Sequence, residues 1–195
     1  MAETNIDTTL MTVGQPTEGG CVYVSFDTST ALPTDAKTKI STLTGFESVG
    51  DISENGFTES RDISSTDVKD WGGSTVATLI ESDQVKYQVE LLEVNRGTSA
   101  KLRYGQDAVT VGDDGSVKVI KYKQFAGKPV VLVIDELESN GALRRTVVKN
   151  AVINSFDDIA HQKGSLMVYG MTFNANTPAD GSEPVVVYRD TVESV

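Results

Sequence analysis

The chain has 195 residues, 38% of them apolar, which is enough to bury one large core. Its formal net charge is −11, and that balance argues against a sequence-reading DNA binder or a protein docked on anionic lipid, both of which carry basic faces. One cysteine, Cys21, and one histidine, His161, exclude an internal disulfide framework and multi-histidine metal sites.

The first 20 residues are polar and acidic. They lack the apolar core of a signal peptide and show little periodicity, so they read as an N-terminal arm, with residues 21–195 as a single domain. The longest unbroken apolar run, Val130 to Ile134, is far too short to cross a bilayer. A soluble protein made in the cytoplasm is the simplest expectation.

The elements that follow read mainly as β-strands. Cys21 opens a strand-like stretch, where a small buried hydrophobe is the favoured role. Pro33-Thr34-Asp35 begins a short turn toward Ile40. Asn55-Gly56, Asp114-Gly115 and Asn140-Gly141 each separate runs rich in Val, Ile, Thr and Tyr. Such pairs supply the positive φ angles of tight hairpin turns. Residues 64–73 are polar, with the lone Trp71 before a Gly-Gly pair, and read as irregular.

From Gln84 to Glu90 polar and apolar residues alternate, with Val85, Tyr87 and Val89 on one face and Leu91 continuing it. A period of two places that face on a core. Residues 95–105 read as a short helix, capped near Thr98 and stopped by Gly105. In Leu166 to Asn174, Met167, Tyr169, Met171 and Phe173 share a face, while the opposite face is mixed and could meet a partner. Residues 174–183 are a loop, and Pro184 to Tyr188 form a last strand, with the proline at a tolerated strand start.

Chemical motifs are sparse. His161 has Asp157 and Ser165 near it in sequence, but no nucleophile-elbow pattern accompanies them. Asp113-Asp114-Gly115 lacks the spaced ligands of a calcium loop and fits a turn. Gly127-Lys128 lacks the rest of a phosphate loop. Glu136 and Glu138 are two apart on one strand face and read as solvated. Arg144 and Arg145 should point to opposite faces. No catalytic residue, metal site or cofactor is expected.

Residues 50–105 contain an ordered set of features: G-D-I-S-E-N-G, then T-E-S-R-D, then D-V-K-D-W-G-G in a Ser/Thr/Asp-rich stretch, then L-L-E-V-N and L-R-Y-G. Upstream lies A-L-P-T-D-A at residues 31–36. In this order the set resembles the major tail (tail tube) proteins of long, non-contractile-tailed bacteriophages.

The resemblance implies an antiparallel β-sandwich or split barrel with one short flanking helix, extended arms and a long loop. It implies hexameric rings stacked into a tube that conducts the DNA genome from capsid to host. Partners would be other copies of the chain, tape measure protein and tail terminator and tip proteins, with DNA passing through unbound and no membrane contact. The virion tail would be its location. The family's long loop falls on residues 61–73, making Arg61, Asp62, Asp67, Asp70 and Trp71 candidates for contact between subunits or rings. Residues 174–195 would be the C-terminal loop and strand. Glu90, on a polar strand face, is a candidate for facing the channel, where acidic groups would repel phosphate. The alternative is a monomeric phage or surface β-sandwich that binds or decorates. That role needs an aromatic platform, and aromatics are 7% with a single Trp.

Overall fold

The computed structural model describes residues 11–17 and 21–190. Most of the expected N-terminal arm and the last five residues lie outside them. The strands are β1 (Gly14–Pro16), β2 (Val22–Ser25), β3 (Glu47–Ser48), β4 (Ile52–Lys69) and β5 (Thr75–Leu91). Helix α1 (Gly97–Tyr104) follows, then β6 (Val109–Val111), β7 (Val117–Ile120), β8 (Val130–Glu138), β9 (Leu143–Phe156), β10 (Tyr169–Ala175) and β11 (Val185–Asp190).

All pairing is antiparallel. The main sheet runs β3-β2-β8-β9-β10-β5-β4, with β1 added to β8 and β11 to β9; β6 and β7 form a separate hairpin. Strand β9 is the branch point. Its first half pairs with β11 (Leu143↔Asp190 to Val148↔Val185) and its second half with β10 (Ala151↔Ala175 to Phe156↔Met171). The described strands do not close into a barrel. The protein is mainly β with one helix on its flank, as the sequence predicts.

The apolar run of β8 is explained by cover on both faces. Val130, Leu132 and Ile134 enter the main core with Tyr87, Val89, Leu91, Met171 and Phe173. Val131 and Val133 face a second cluster with Ile40 and Val147. The segment between β2 and β3 supplies that second cover. The Asp35 carboxylate accepts the Thr38 N–H at 2.6 Å and its hydroxyl at 2.8 Å, fixing the turn. Ile40 then plugs the layer, 2% exposed.

The helix ends where expected: Gly105, at φ 92°, donates its N–H to Lys101 O. Its start differs. Arg96 occupies the cap position without a side-chain cap, and Thr98 instead donates its hydroxyl to Glu47 at 2.7 Å. The Ser99 hydroxyl donates to Val49 O at 2.8 Å. These tertiary bonds, with Ala100 and Leu102 in the core, replace the missing cap in holding the helix.

Two of the three expected hairpin turns form, β6–β7 across Asp114-Gly115 and β8–β9 across Asn140-Gly141. The third does not. Strand β4 runs through Asn55-Gly56, and its pairing with β5 jumps from Ile52↔Leu91 to Phe57↔Val89. Gly56 sits at φ +66°. A positive φ serves a bulge as well as a turn, and here Phe57 packs toward Tyr87, ring centroids 6.3 Å apart, so the strand continues.

Candidate functional site

Beyond Arg61↔Val85, the β4–β5 pair leaves the body of the protein, because β10 pairs with β5 only as far as Val85. Eight more residues of β4 extend outward, an arm of about 27 Å at the usual strand rise. Every residue from 58 to 83 is exposed. Residues 61–69, expected as loop, are therefore strand. With both faces in water, nothing selects an alternating pattern, and the polar Ser/Thr/Asp run conceals the strand.

Cross-strand polar pairs organise the arm. Arg61 holds Asp83 through two hydrogen bonds, the Nε one at 2.6 Å. Lys86 pairs with Asp62, Thr66 with Glu81, and the Thr78 hydroxyl donates to Asp67 at 2.7 Å. The Arg61 guanidinium holds the Asp83 carboxyl below its ordinary value. Exposed pairs of this kind add little stability; their effect here is to set register. At the tip, Asp70 Oδ1 accepts the Ser74 N–H at 2.8 Å, and the Gly73 N–H reaches Asp70 O at 3.0 Å.

Of the predicted contact residues, Arg61, Asp62 and Asp67 thus brace the arm and Asp70 shapes its turn. Trp71 stands at the apex, 106% exposed. Ile63, Val68, Val76, Leu79 and Ile80 are also exposed on the arm. A two-stranded ribbon without a packed face is marginal in water, and a large exposed apolar set marks a binding surface.

Glu90 lies elsewhere. It sits on β5 opposite Gly170, half-exposed, on the face away from buried Val89 and Leu91. Lys86 and Gln88 share that face by alternation.

The Glu136 and Glu138 reading is corrected. Neither is solvated: their side chains are 15% and 2% exposed. Strand β1 pairs Gly14 with Glu138 and Pro16 with Glu136, and a Cβ on Gly14 would stand 2.4 Å from Glu136 Oε1. Arg189 of β11 pairs with Glu138 and holds its carboxyl below the ordinary range. Burial pushes Glu136 up, opposed by Arg144 at 3.7 Å. Part of the expected N-terminal arm is therefore a strand that covers these carboxylates. A three-residue strand is too short for a periodicity signal.

Arg144 and Arg145 do point to opposite faces, toward Glu136 and Asp135 respectively. Cys21 is buried, and burial pushes its thiol up to about 11. His161 is exposed and the Asp157 carboxylate accepts from Gln88; among the described residues no hydrogen bond joins His161 to Asp157 or to the Ser165 hydroxyl. Asp114 is a turn residue, lowered to about 2 by the Ser116 hydroxyl and N–H and by Lys118. Among the described residues, no cluster of three His, Cys, Asp or Glu could hold a metal, and no helix is long and apolar enough to cross a membrane.

A branched antiparallel body carrying a long ribbon with nothing to pack against has the build of a structural subunit made to be joined to others. The family model described as phage tail tube protein matches residues 17–194, and the chain belongs to that family. It is a structural component of the virion tail that assembles into a tube. No curated protein matches the chain at a significant level.

Proposed function

We propose that six copies of the chain form a ring and that rings stack into the tube through which the DNA genome passes from capsid to host cell. The observation that carries this reading is the β4–β5 arm: an exposed ribbon with apolar side chains and Trp71 at its apex, which needs a second surface to become stable. Arg61, Asp62, Asp67, Asp70 and Trp71 make contacts between subunits or rings in this reading. The N-terminal arm, residues 1–20, and the C-terminal segment, residues 174–195, add to the stacking of a single tail-tube domain. Closing strands across subunits also removes exposed sheet edges such as β4, and contacts that do not close on themselves build filaments.

Glu90 faces the channel in this reading. A net charge of −11 per subunit disfavours adhesion of passing phosphate, so DNA slides without specific binding. Tape measure protein occupies the growing tube, and terminator and tip proteins close its ends. The subunit is made in the host cytoplasm and performs no catalysis. Negative-stain electron microscopy of the purified protein across a concentration series tests the reading. Six-fold rings or hollow tubes are expected. Small particles at every concentration, together with saturable glycan binding, would favour the monomeric binding module instead.

A further inference from the structure

The arm is acidic. Residues 59–83 carry Glu59, Asp62, Asp67, Asp70, Glu81 and Asp83 against only Arg61 and Lys69. On the body, the segment from α1 to the start of β8 has the opposite sign. Residues 96–128 hold seven Lys and Arg against Asp107, Asp113 and Asp114. Within that segment α1 and the 121–129 stretch frame a cleft. Its wall includes Leu102, Phe125 and Ile153, and Lys101, Lys123 and Lys128 line it too.

We infer that this cleft on one subunit receives the Trp71 apex of the arm of another subunit. The inference rests on the tube reading and names the surface that the arm would meet. Its chemistry is matched on both sides. Trp71 offers a large apolar ring with no cover of its own, flanked by Asp67, Lys69 and Asp70 at the end of an arm that is acidic as a whole. The cleft offers an apolar wall within a positive rim. An aromatic anchor seated in an apolar pocket with charges at its edge is the usual energetic centre of a protein interface.

The rim contains one carboxylate, Asp107, which already faces Lys128 at 3.4 Å and whose backbone O accepts from Lys123 at 2.9 Å. Those bonds are exposed and easily exchanged, and they leave the rim positive. Two larger clefts suit the arm less well. One, beside β1 and the base of β4, is lined by Asp51, Glu54 and Glu136. Another is lined by Glu93 and Asp114, with Arg96 as its only basic residue. Both present carboxylates to an arm that is itself acidic.

Trp71 is the only tryptophan of the chain, so its fluorescence reports on the apex alone. The experiment follows emission and sedimentation of the full chain through assembly. It compares wild type with Lys123→Glu/Lys128→Glu and with the control Lys37→Glu/Lys39→Glu, which makes the same charge change on a different segment. Circular dichroism confirms that each variant is folded.

The expected result is a blue shift of emission when wild type and control assemble. The cleft variant, folded, should lose both the shift and the tubes. Wild-type tubes with unshifted emission would overturn the docking inference and leave the tube reading standing. So would a cleft variant that assembles with the wild-type shift, or a control that fails as completely as the cleft variant. Wild type that remains small and unshifted at all concentrations would sink both.

Discussion

Arg145 of β9 and Asp135 of β8 face each other directly across the sheet and join through two hydrogen bonds, 2.6 and 2.7 Å. Arg145 is 2% exposed, and its remaining terminal nitrogen donates to the Asp35 backbone O at 2.8 Å. One buried guanidinium thus ties two central strands to the segment that covers them.

Removing one partner of such a pair strands a charge in the interior. Arg145→Ala should destabilise the folded chain by about 3–5 kcal/mol, read from urea unfolding. Arg145→Met combined with Asp135→Leu should recover much of the loss, because no buried charge is then left alone. A loss below about 1 kcal/mol for the single variant would show that water reaches Asp135 freely.

Glu136 and Glu138 should pull the pH profile in opposite directions. Glu138 has a folded value below its unfolded one. Its contribution is present above the ordinary carboxylate range and is lost as pH falls through the lowered value. Glu136 has a folded value raised above 4.5. The native state then holds its proton more tightly, and stability declines as pH rises from the ordinary value through the raised one. Glu136→Gln should therefore raise stability at neutral pH and flatten the profile above about pH 4.5. Glu138→Gln should lower stability at neutral pH and remove the acid-side loss. Thermal unfolding from pH 3 to 8 distinguishes the two; identical shifts would refute the assignment.

Cys21 is 4% exposed with its thiol pushed up to about 11. Labelling by a soluble disulfide reagent at pH 8 should be slower than for an unfolded thiol by on the order of 100-fold or more. Denaturant should restore full reactivity. Rapid labelling of native protein would mean that the β1–β2 region opens readily.

Trp71 is exposed at the apex, so Trp71→Ala should change the stability of the free subunit by no more than about 0.5 kcal/mol. Tube assembly is where the substitution should register, as a loss visible by electron microscopy. A large change in subunit stability would mean that the ring already packs on its own arm.

Much of this protein was determined by local chemistry and so was legible in its sequence. Alternation marked the buried face of Tyr87, Val89 and Leu91. Gly105 stopped the helix, and Asp114-Gly115 and Asn140-Gly141 turned the chain. The ordered features of residues 31–105 pointed to the family. Each depends on neighbours a few residues away, which sequence order preserves.

The rest was decided by contacts distant in the chain. Asn55-Gly56 can serve a turn or a bulge, and only pairing with a strand more than thirty residues on makes it a bulge. Residues 61–69 have no buried face, so their strand exists by pairing alone and leaves no periodic trace. Glu138 looked solvated because Arg189, its counter-charge 51 positions later, reaches it from β11 on the far side of β9. The positive cleft likewise gathers α1, the 121–129 stretch and β9. Burial and charge pairing are properties of the folded surface, and where partners lie far apart in sequence only the tertiary structure brings them together.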